Sequence, residues 1–194
     1  MTAIRYLLIP LLLVAACEKK HEPLGAKIAQ GEGLLVPEFS FLERGGRPYG
    51  LKDLKGKVWV AAFIFTRCQT TCIPMCGEMM ELQDEFEGEK DFRIVATTVD
   101  PAHDTAERLA KFGKGYGADP ERWLFLTGKS GDIKAFAHGG LKIQWHPEDP
   151  LIHSTYFVLV DREGRIRDYL NQTRREEMER LRKVIRALLL EKTP

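Results

Sequence analysis

Apolar residues run unbroken through VWVAAFIF (58–65), a length that suits a strand buried on both faces better than a helix. FRIVATTVD (92–100) and RWLFLTG (122–128) repeat that pattern, so three buried strands are expected. After the first run, Met75, Met79, Leu82 and Phe86 recur at helical spacing. Between the second and third, DTAERLAKFGKGYG offers Asp104 or Thr105 as a helix cap, Leu109 and Phe112 as the buried face, and a glycine-rich stop at 113–117. SGDIKAFAHGG predicts a short helix capped by Ser130 and stopped at Gly139.

The two flanks complete the plan. Upstream, Phe39 and Phe41 alternate with polar residues ahead of Gly45-Gly46, the signature of a hairpin. Downstream, HSTYFVLVDREGRIRDYL predicts two strands joined around 162–164. Met178, Leu181, Ile185, Leu188 and Leu189 then share one face of a final helix. This order predicts an α/β, thioredoxin-like domain, with a central mixed sheet flanked by helices and an N-terminal hairpin extension. Fold alone does not assign function.

The first residues follow a different logic. A single Arg5 precedes an apolar stretch (6–16) too short to span a bilayer as a helix, which predicts an export signal. Ala15 and Ala16 stand before Cys17 and charge follows at once, a pattern similar to the lipobox of bacterial lipoproteins, so Cys17 is expected to carry a lipid. Residues 1–17 are thus expected to be signal peptide and lipobox, 18–35 a flexible tether and 36–194 the folded domain. The expected address is an exported, membrane-anchored lipoprotein facing the periplasm or cell exterior.

Charge narrows the choice of partner. Lys and Arg total 29 against 28 Asp and Glu, which leaves no field to gather nucleic acid. Export also bears on the cysteines, because thiols outside the cytosol oxidise unless metal or a reducing partner protects them. With Cys17 assigned to anchoring, Cys68, Cys72 and Cys76 remain, and an odd number cannot close into a disulfide framework.

Cys68 and Cys72 form a CxxxC pair where the first buried strand passes into its helix. Free amides at a helix N-terminus favour thiolate, which makes the pair either redox-active or a soft-metal site. Three intervening residues, one more than the commoner redox spacing, suit a soft ion such as Cu(I) and still permit a disulfide. Among the histidines, His21 lies in the tether, His138 and His146 sit near Gly or Pro, and His103 follows the Asp100-Pro101 turn. His153 opens the strand STYFVLV, which in a thioredoxin-like sheet runs antiparallel to the first core strand and delivers its start to the CxxxC loop.

FTRCQTTC, TVDPAHDT and HSTYFVLVDREGRI, in that order, resemble the Sco/SenC family from about residue 36 to 169. The resemblance implies copper bound by Cys68, Cys72 and His153 in a membrane-tethered protein outside the cytoplasm. It further implies delivery of copper to the binuclear copper site of cytochrome c oxidase, or reduction of that site's cysteines. Asp100 matches the acidic residue of the family's Asp-Pro turn, with a role near the site or in partner contact. Gln69 stands where the family usually has proline, and Cys76 has no counterpart in the usual pattern. Cys76 is open to three readings: third sulfur ligand, resolving thiol or small buried residue.

Other chemistries fit the same residues. Cys68 and Cys72 serve equally as the pair of a thiol-disulfide oxidoreductase acting on partner thiols, with Cys68 as attacker. Adding Cys76 and His153 makes a Cys₃His set for structural zinc. Thr66 and the cysteines after the first strand also fit a peroxidase loosely, a chemistry with no need of His153.

Overall fold

The computed structural model describes residues 33–143 and 154–191. Its 7-stranded sheet has the order β2-β1-β5-β4-β3-β6-β7. The strands are β1 (Ser40–Glu43), β2 (Pro48–Gly50), β3 (Val58–Ile64), β4 (Phe92–Thr98), β5 (Trp123–Thr127), β6 (Tyr156–Val160) and β7 (Ile166–Asn171). The helices are α1 (Leu51–Leu54), α2 (Cys72–Glu85), α3 (Ala106–Gly115), α4 (Ser130–Lys134) and α5 (Arg175–Leu190). None of the helices among the described residues is long and apolar enough to cross a membrane.

β3, β4 and β5 pair in parallel, so each connection has to cross over, and α2 and α3 supply the crossovers. The outer strands pair antiparallel, β6 on β3, β7 on β6 and β1 on β5. In β3 every residue is buried and alternate side chains enter opposite cores. Val58, Val60, Ala62 and Ile64 meet Met75 and Met79 of α2, Leu109 of α3 and Leu181 and Ile185 of α5. Trp59, Ala61 and Phe63 face Leu54 of α1, Ile133 of α4 and Phe136. Burial on both faces is why the run reads as continuously apolar.

The hairpin turns fall where glycine permits them. Gly46 has φ +82° between β1 and β2, and Gly164 has φ +78° between β6 and β7. Ahead of β1, Leu35 bridges Arg165 and the Val36 amide donates to Gly164 O at 2.9 Å, tying this segment to the late hairpin. Thr105 caps α3 by accepting the Arg108 amide.

Three details depart from the sequence reading. Ser130 is the first residue of α4 rather than its cap, which is Lys129 and makes no side-chain capping bond. Beyond α4 the chain continues as a π-helix, Ala135–Gly140, which buries Phe136 and Ala137 and ends one residue past the expected stop at Gly139. α1 was not anticipated. Four residues are too few to show a period, and its start is closed by Asp53, which accepts the Gly50 amide at 2.8 Å.

Candidate functional site

β3 ends at Ile64 and α2 begins at Cys72, so the intervening loop carries Cys68 over the N-terminus of the helix. A turn places it there, with the Cys68 amide donating to Phe65 O at 3.1 Å. The residue at the cap position, Thr71, makes no side-chain capping bond. Instead the Cys72 amide donates to Cys68 Sγ at 3.4 Å, so the sulfur takes the part a capping oxygen usually plays. An anionic sulfur accepts such a bond more strongly and also meets the positive end of the helix dipole. Thr70 Oγ1 lies 3.7 Å from the same sulfur. Pro74 costs nothing here, because an amide in the first turn of a helix has no partner within the helix.

The two thiols of the pair differ in environment. Cys68 is partly exposed, whereas Cys72 is 1% exposed and packs into the core. Burial pushes the Cys72 thiol well above its ordinary range, against a smaller lowering by a backbone hydrogen bond from Phe65. One sulfur therefore faces solvent and the other is held neutral inside until something displaces its proton.

Cys76 lies one turn further along α2 and is completely buried. Burial pushes its thiol up to about 12, and the hydrogen bond to the Tyr116 side chain opposes this only in part. Cys68, Cys72 and Cys76 form no disulfide among the described residues. Among the described residues no three His, Cys, Asp or Glu side chains are grouped so as to hold a metal ion.

The TVDPAHDT turn grips the loop just ahead of Cys68. Asp100 is 9% exposed and accepts from Arg67 Nε at 2.8 Å. Asp104, four residues on, is fully buried and accepts from the Thr66 amide at 3.0 Å, Thr66 Oγ1 at 2.5 Å and Thr98 Oγ1 at 2.6 Å. The two residues preceding Cys68 are thus each held by a carboxylate. The sequence reading weighed Asp104 only as a helix cap. The signal was the second aspartate of D-P-A-H-D, which falls one turn after the first.

The remaining predicted residues are spread out. His103 Nε2 lies 2.7 Å from Arg108 Nη1, and His138 is exposed on the π-helix. Thr66, Arg108, Lys111, Phe112, Gly115 and Tyr116 line a shallow cleft of about 410 Å³ beside the thiol loop. Cys17, His21, His146 and His153 lie outside the described residues. The β6 register, with Ala61 opposite Val158 and Trp59 opposite Val160, brings the entry to β6 alongside the exit of β3.

A split thiol pair where the first parallel strand meets its helix, on a mixed sheet covered by helices, defines a thioredoxin-like dithiol protein. The SCO1/SenC family profile matches residues 28–189, and the chain belongs to this family. It is 41% identical over 140 residues to the SCO1 protein homolog of Bacillus subtilis, covering 69% of this chain and 72% of that one. A SCO1/SenC family lipoprotein from Bacillus anthracis superimposes with TM-score 0.73 at 34% identity, covering 81% of this chain and 96% of the other. Yeast Sco1 with copper bound shares the fold, with TM-score 0.66 at 21% identity over 84% of this chain and 97% of its own.

Proposed function

We propose that the protein is an extracytoplasmic, membrane-tethered copper chaperone. Residues 1–17 export it and leave a lipid on Cys17, 18–35 form the tether, fastened at its end by the Leu35–Arg165 bridge, and 36–194 form the working domain. Cys68, Cys72 and His153 hold the copper, which passes by ligand exchange to the binuclear copper site of cytochrome c oxidase. The observation that carries this reading is the Cys72 amide donating to Cys68 Sγ at 3.4 Å, which sets the Cys68 sulfur over the helix residue whose own thiol would be the second soft donor. Family membership, copper in yeast Sco1 and the lipoprotein from Bacillus anthracis support it.

The chemistry follows from the unequal thiols. Cu(I) meets the accessible Cys68 first and then displaces the proton of Cys72, so loading releases protons. The entry to β6 beside the exit of β3 favours His153 as the third donor. Asp100 acts on the loop through Arg67 rather than as a ligand. Cys76, turned to Tyr116, is a buried structural thiol.

The same asymmetry favours a second role, reduction of a partner disulfide. Cys68 attacks and forms a mixed disulfide while one partner thiolate leaves. Cys72 then closes the Cys68–Cys72 bond and releases the second, so two electrons and two protons reach the partner. Equimolar Cu(I) and Zn(II) offered to the reduced protein test the metal reading, with metal analysis and alkylation as readouts. Copper retained with Cys68 and Cys72 protected is expected. Tightly held zinc with all three thiols protected would replace it with a structural Cys₃His site.

A further inference from the structure

Asp104 has no exposed surface, and its carboxylate collects donors from two separate segments. Two come from Thr66, whose amide and hydroxyl lie 3.0 and 2.5 Å from Oδ2 and Oδ1. The third is Thr98 Oγ1 at 2.6 Å, in the last residue of β4. The Asp104 backbone is fixed in turn, its amide donating to Asp100 O at 2.8 Å. Burying a carboxylate is expensive, and donors that satisfy it usually only offset the cost. What this arrangement secures is position. Thr66 is two residues before Cys68, and the turn that carries Cys68 starts from Phe65 O at 3.1 Å. Two bonds to one residue fix both its backbone and its side chain, which a single contact would not.

We propose that Asp104 is a positioning residue for the thiol pair: by holding Thr66 at its amide and hydroxyl, it sets the height of Cys68 Sγ above the first turn of α2. The copper affinity and disulfide equilibrium of Cys68 and Cys72 then depend on a side chain that touches neither sulfur. This rests on the reading of that pair as the working site.

Asparagine separates position from charge. Its amide oxygen can accept the Thr66 and Thr98 donors now on Oδ2, while its NH₂ faces Thr66 Oγ1, a hydroxyl able to turn and accept. Alanine leaves all three donors without a partner. Leu188→Ala, at the end of α5 near Arg162 and Gly56, lowers stability by a cavity far from the thiol loop and serves as control.

The first readout is the metal-free equilibrium with glutathione, in which Cys68 and Cys72 give two electrons and two protons to glutathione disulfide, forming one S–S bond and two glutathione thiols. The second is Cu(I) affinity against a chromogenic chelator. Asp104→Ala is expected to shift both constants by about tenfold or more, as loss of a group orienting a ligand does. Asp104→Asn is expected to restore both to within about threefold, and Leu188→Ala to leave both within about twofold while lowering the melting temperature. The proposal is overturned if folded Asp104→Ala keeps wild-type constants, or if Asp104→Asn falls as far as alanine, which would make charge the agent. A wild-type protein that takes up no Cu(I), with the disulfide equilibrium still shifted in Asp104→Ala, refutes the copper reading and upholds the positioning.

Discussion

Cys76→Ala should reverse its stability order against wild type between neutral and alkaline pH. The Cys76 thiol is fully buried, and burial moves it from an ordinary 9.0 up to about 12. In the unfolded chain it ionises from about pH 9, whereas the folded chain keeps it protonated to about pH 12. Its contribution is therefore complete below pH 9 and is lost as pH climbs toward 12. At about 1.4 kcal/mol per unit, wild type gives up about 2 kcal/mol through this thiol by about pH 10.5. Alanine does not titrate and pays only for one missing buried atom, about 1 kcal/mol at neutral pH. Urea unfolding of the reduced, metal-free proteins should therefore find the variant about 1 kcal/mol weaker at pH 7 and about 1 kcal/mol stronger near pH 10.5. Curves that keep a constant offset across that range would refute a buried neutral thiol at this position.

Copper loading should depend on pH for a related reason. Because burial holds Cys72 protonated, Cu(I) has to displace that proton, and apparent affinity should rise by at least about tenfold per pH unit between about pH 6 and 8; a flat chelator competition would contradict this. Arg182 is 17% exposed and joins α5 to α2 through Glu78, Glu81 and Glu85 at 3.0, 2.8 and 2.9 Å. Arg182→Met should cost about 1–2 kcal/mol in urea unfolding, between surface and buried pairs, with the loss shrinking in high salt as the three carboxylates are screened. A loss unchanged by salt would place the effect in packing instead.

Legibility in the sequence followed distance along the chain. The parallel strands were plain because burial on both faces leaves no polar residue in VWVAAFI, and α2 was plain because Met75, Met79 and Leu82 keep helical spacing. The unequal roles of Cys68 and Cys72 were visible only as a spacing, since what separates them is which sulfur lies over the helix end and which enters the core. Asp104 escaped for a related reason. Its partners Thr66 and Thr98 meet it through the register of β3 on β4, where Ile64 lies opposite Thr98, and a local motif such as D-T resembles a cap whether or not its carboxylate turns inward. Ser130 was misjudged on the same ground: a residue suited to capping stood one position inside the helix.

Cys68 in the loop before α2, Cys72 at the first position of α2 and His153 from the far end of the chain are proposed to hold a single copper ion. Anaerobic Cu(I) titration of the reduced protein, alongside His153→Ala and Cys76→Ser, tests it most directly. The expected result is one tightly bound ion in wild type and in Cys76→Ser, and an affinity lower by about tenfold or more in His153→Ala, as loss of a ligand demands. Binding in His153→Ala equal to wild type, or binding lost in Cys76→Ser, would contradict it.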